Sequence, residues 1–102
     1  MFGAADPEQA ISQLEAYHSE GRGERVEVMA SALVDQLMAQ KGRDDSTQGI
    51  LVKGLRILAS VLNSRGKYKR ARITIGLLHK HRNKHAKVVG QDLAAAAGDY
   101  HL

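Results

Sequence analysis

Cysteine is missing from this sequence, and so is tryptophan; proline and phenylalanine occur once each. Without cysteine there is no disulfide framework, no thiolate zinc site, no iron–sulfur cluster and no thiol nucleophile. Such a composition fits a reducing compartment. Aromatic residues make up only 4% of the chain, so its core is expected to be aliphatic. A single proline excludes collagen-like and proline-rich classes. No apolar run approaches the roughly 18 residues of a membrane span, so no membrane partner is expected. The opening Met1-Phe2-Gly3-Ala4-Ala5-Asp6-Pro7 lacks the basic and apolar regions of a secretory signal, which makes a cytoplasmic location the expectation. Catalytic signatures are lacking too: there is no Gly-x-Ser-x-Gly, no His-Glu-x-x-His and no phosphate loop. Gly21-Arg22-Gly23 precedes a helix but follows no strand. A non-enzymatic chain without a cofactor is expected.

What is present suits one globular domain over residues 1–102, with 43% apolar and 25% charged residues. The net charge of +4 hides a strong asymmetry. Residues 1–45 hold nine acids and four bases, a balance of −5. Residues 46–102 hold eleven bases and only Asp92 and Asp99 as acids, a balance of +9. The basic patch comprises Lys67, Lys69, Arg70, Arg72, Lys80, Arg82, Lys84 and Lys87, with Arg65 at its start. Three readings are open for it: a solvated face neutralised by the acidic half, a dock for an acidic protein, or a site for nucleic acid.

Periodicity predicts five helices and no strand pairing. Asp6-Pro7-Glu8-Gln9 is a helix start with a cap, a proline at the first position and Gln9 at capping-box spacing. Ala10, Ile11, Leu14 and Tyr17 follow on one face, and Gly21 and Gly23 end the helix. A second helix over about 24–40 carries a wide stripe: Val26, Met29, Ala30, Leu33, Val34, Leu37 and Met38. Leu33, Leu37 and Met38 are a surplus that predicts a homodimer or an obligate heterocomplex. Asp45 or Ser46 should cap a third helix ending near Ser64, and Gly54 within it implies close helix–helix approach. A fourth helix is expected over about 67–81, with Tyr68, Ala71, Ile75 and Leu78 on one face. A fifth is expected over about 84–97, ending at Gly98-Asp99-Tyr100.

Gly66-Lys67-Tyr68 and Gly98-Asp99-Tyr100 repeat a Gly-x-Tyr turn, and Gly21 is a weaker first instance. Self-similarity of helix–turn–helix units at such spacing marks stacked helical hairpins. The chain here resembles the tetratricopeptide repeat (TPR) family. The family's pattern falls on Leu55, Leu58, Ala59, Leu62, Gly66, Tyr68, Ala71, Ile75 and Leu78, over residues 52–83. Its closing proline is replaced by Asn83. In the first unit Tyr17, Gly21, Val26, Ala30 and Leu33 fit, and Gln13 does not. The resemblance implies an all-α fold of stacked hairpins, with units at about 7–40 and 47–82 and a partial unit over 84–102. Ala59 and Ala71 would sit where paired helices approach, Tyr68 would fill the gap beside the turn, and the helix from Lys84 would cap the middle unit. The alternative is an unrelated helical bundle.

The resemblance also implies function: an adaptor or small chaperone binding a partner helix or peptide along its groove. Lys53, Arg56, Ile57, Ser60 and Asn63 would face that groove, a basic and polar surface suited to an acidic segment. In size and layout the chain is similar to small secretion chaperones that shield an aggregation-prone helix. The competing reading is a basic helical nucleic-acid binder using residues 65–87, although Tyr68 is its only aromatic and stacking is poorly provided for. His79, His81 and His85 do not make a metal site on this reading, because a turn near Arg82-Asn83 would separate His81 from His85.

Overall fold

The computed structural model describes the backbone of residues 6–89 and the side chains of residues 6–83. Four helices pack together: α1 (Pro7–Ser19), α2 (Gly23–Ala39), α3 (Asp45–Ser64) and α4 (Tyr68–Val89). No strand occurs among the described residues. The all-α expectation therefore holds, while the helix count differs. The turn expected at Arg82-Asn83 is absent, and residues 84–89 continue α4 rather than starting a fifth helix. The physical reason is local. From His79 to Val89 there is neither proline nor glycine, and one asparagine is too weak a breaker to stop a helix. The expected cap over the middle unit is not formed by residues 84–89. The remainder of that helix and the Gly98-Asp99-Tyr100 turn lie outside the described residues.

Each start and stop has a visible cause. The Asp6 carboxylate accepts from Glu8 N at 3.1 Å, with Pro7 at the first helical position. The cap of α3 is Asp44, one residue before the expected Asp45, and it accepts from Thr47 N at 2.7 Å. That backbone hydrogen bond holds the Asp44 carboxyl below its usual range. Arg43 closes the other side of the same connector. Its guanidinium donates to the carbonyls of Leu37 and Gln40 at the end of α2, and to Gln48 Oε1 on α3. Buried Gln48 in turn donates to the His81 carbonyl at 3.2 Å, which ties α3 to α4.

α1 and α3 end in the same way. Gly21 N bonds to His18 O and Arg22 N to Tyr17 O; Gly66 N bonds to Asn63 O and Lys67 N to Leu62 O. Both glycines have positive φ, 77° and 80°, as this paired termination requires. The described residues thus form two helical hairpins closed by equivalent turns. Gly66→Ala should cost about 1–2 kcal/mol, because a side chain is strained in the left-handed region. Thermal denaturation would read this as a lowered Tm with the helical signal at 20 °C unchanged.

α3 is the centre of the packing. It lies against each of the other three helices, α1 also packs on α2, and α4 packs on α3 alone among the described residues. Leu14, Leu33, Leu37, Leu51, Leu55 and Leu62 are fully buried. α2 packs beside Gly54, where an added Cβ would make an ordinary van der Waals contact with Val34 Cγ2 at 3.4 Å, so the helix approach here does not require glycine. Leu33 and Leu37, expected as surplus apolar surface, are consumed by this intramolecular contact; only Met38 remains exposed.

Candidate functional site

α1 and α3 run side by side in the same direction. Ser46 Oγ, at the start of α3, lies 3.5 Å from Glu8 Oε2, at the start of α1. Their seam holds two adjoining hollows. One is bordered by Glu8, Ile11, Asp45, Ser46 and Ile50, the other by His18, Ser19, Ile57 and Ser60. Glu15, Lys53 and Arg56 border both. Of the residues expected to face a groove, Lys53, Arg56, Ile57 and Ser60 border these hollows and Asn63 borders neither; Lys53, Arg56, Ser60 and Asn63 are exposed at 3-4-3 spacing on α3, and Ile57 is buried. Lys53 and Arg56 make no ion pair among the described residues.

The basic patch behaves differently. It is split by a residue that sequence reasoning counted only as one acid of the first half. Glu27, 8% exposed on α2, receives Lys67 Nζ at 2.7 Å and Arg70 NH1 at 3.1 Å on Oε2. Arg65 Nε stands 2.8 Å from Oε1, close enough for an ion pair but not aligned for a hydrogen bond. The hydrogen bond from Lys67, with the charges of Lys67 and Arg65, holds the Glu27 carboxyl below 4.5 despite its burial. A signal for this existed: position 27 falls at 3-4-3 spacing with Ala30, Val34 and Leu37, so an acid sits within an apolar face.

Lys69, Arg72 and Lys80 remain exposed on α4 without ion pairs among the described residues, and Arg82 is half-buried. Lys84 and Lys87 stand on helical backbone beyond the described side chains. The repeat positions divide likewise. Leu55, Leu58, Ala59, Leu62, Ala71 and Leu78 are buried, and Gly66 makes its turn. Tyr68 and Ile75 are not core residues, being 62% and 41% exposed. The inward face of α4 is instead Ala71, Thr74, Leu78 and His81. This face leaves Arg70, beside Ala71 and Thr74, in an ion pair with Glu27 of α2. Thr74 tolerates burial because its hydroxyl donates to Arg70 O at 2.8 Å.

With no turn at 82–83, positions 81 and 85 lie four apart on one face of α4, contrary to the expectation that a turn separates them. Among the described residues no group of three or more His, Cys, Asp or Glu could hold a metal ion. No helix among the described residues is long and apolar enough to cross a membrane. Compared with protein-family models, with curated proteins and with solved structures, the chain matches none.

Proposed function

We propose that the chain is a non-enzymatic protein-interaction module, an adaptor or small chaperone of TPR-like type, which holds an acidic helix or peptide in the α1–α3 groove. The observation that carries this reading is the pair of exposed cations, Lys53 and Arg56, which stand beside both hollows without an ion pair among the described residues. The arrangement of the helices supports it, since the groove lies between the first helices of two stacked hairpins. Unpaired cations in a groove attract carboxylates and set partner choice more than they set stability. The test is selection of displayed 16-residue peptides on the purified chain, followed by titration of the enriched sequences. Enriched peptides should carry a cluster of carboxylates. The double variant K53E/R56E should bind them at least ~10-fold more weakly, about 1.4 kcal/mol, with its circular dichroism unchanged. Unaltered affinity in that variant would remove the groove from the function.

A second reading has its own observation. α4 is one uninterrupted 22-residue helix with Lys69, Arg72 and Lys80 exposed along it, which supports contact with the phosphates of a nucleic acid. Glu27 weakens this reading by occupying Lys67 and Arg70. A duplex oligonucleotide titrated from 50 to 200 mM salt would separate the two. Binding that falls steeply with salt and is lost in K69E/R72E/K80E would favour the nucleic-acid reading; binding no tighter than that variant's would dismiss it.

A further inference from the structure

We infer that the α1–α3 groove is electrically polarised and therefore fixes the direction of its occupant, a segment with carboxylates at one end and ammonium or guanidinium groups at the other. This rests on the groove reading given above and adds the orientation to it. The two hollows differ in their acids. Glu8 and Asp45 border only the hollow at the starts of α1 and α3, whereas among the residues bordering the hollow toward their ends the one acid is the shared Glu15. Lys53 and Arg56 lie between, facing Glu15 across the seam without an ion pair among the described residues. The parallel course of α1 and α3 is what separates the charges. Both helices bring acids to their first turns, so Glu8 and Asp45 gather at one end.

The separation sets the length of the occupant. Asp45 precedes Lys53 and Arg56 by eight and eleven positions on one helix, or ~12 and ~17 Å along its axis. A helical segment covers that span in roughly eight to eleven residues, and an extended one in about four or five. A uniformly acidic segment would set its far end against Glu8 and Asp45, where like charges repel.

The experiment uses two synthetic 12-residue peptides and the full chain labelled with 15N. One peptide has two Glu at one end, Leu and Ala in the middle and two Lys at the other end. In the second peptide the Lys are replaced by Glu. With a nitroxide at the Glu end of the first peptide, amide signals of Ser19 and Ser60 should broaden while those of Glu8 and Ser46 stay sharp. E8Q/D45N, which spares both helix caps, should weaken the first peptide about 3- to 10-fold and tighten the second. K53E/R56E should weaken both. Equal broadening at the two ends, or an E8Q/D45N variant that binds the first peptide as wild type does, would overturn the polarity while leaving the groove in place. If neither peptide perturbs any amide along α1 and α3, the groove reading fails and the polarity with it.

Discussion

Truncating Leu55 to alanine will remove about 2–5 kcal/mol of stability, the largest effect expected from a single substitution in this chain. Leu55 is 0% exposed, in the middle of the helix that the three other described helices touch. A fully enclosed, close-packed site collapses only in part, so most of the cavity should persist. A domain of this size has only about 5–15 kcal/mol in total. In urea denaturation the midpoint should therefore fall steeply while the m-value is preserved. A loss below about 1 kcal/mol would mean that α3 is not the shared wall of the core.

Replacing Glu27 by glutamine should cost about 1–3 kcal/mol at pH 7, an effect that depends on pH. The wild-type carboxylate gathers Arg65, Lys67 and Arg70, from the end of α3, the turn and the start of α4. Glutamine keeps the shape but leaves three cations facing one another. Those cations are partly exposed, so water and salt will soften the loss. The carboxyl's folded pKa is depressed, so its contribution is fully present above 4.5, the unfolded value, and disappears as pH falls through the lower folded value. Urea titrations of wild type and E27Q from pH 7 to pH 3 should show two curves that converge on the acid side. A gap that stays constant below pH 4 would mean that the carboxylate's charge is not what holds α4 in place.

Much of the fold was legible because its determinants are local. Asp6, Pro7, Gly21 and Gly66 act within a few residues of where they stand, and the apolar stripe of α3 declares burial on several sides without reference to any other helix. Lys53, Arg56, Ile57, Ser60 and Asn63 were expected in a groove because of the family resemblance, whereas the hollows that Lys53, Arg56, Ile57 and Ser60 border depend on where α1 lies. The face that α4 buries was not legible: Glu27, which ties Lys67 and Arg70 to α2, stands about 40 positions upstream of them. Tyr68 and Ile75 fit the helical period as well as Thr74 and His81 do, and hydrophobicity alone favours the wrong pair. The long α4 was missed because the family's hairpin spacing suggested a turn where the residues themselves offer no breaker. The sides of the groove became visible only once α1 was laid beside α3, which placed Glu8 next to Ser46 across 38 positions.

The packing of α4 on α3 alone has a consequence for how the molecule opens. Among the described residues α4 is held by a single helix–helix seam, the most extensive in the fold, and by the polar ties of Gln48 and Glu27, so it can open without separating α1, α2 and α3 from one another. Amide protons along α4 should therefore exchange with solvent through a partial opening, at a lower free energy than those of α3, whose release needs the whole chain to unfold. Glu27 sets the height of that smaller barrier. In E27Q the α4 amides should exchange faster while those of α3 change less, so that one carboxylate separates two cooperative units within a single small domain.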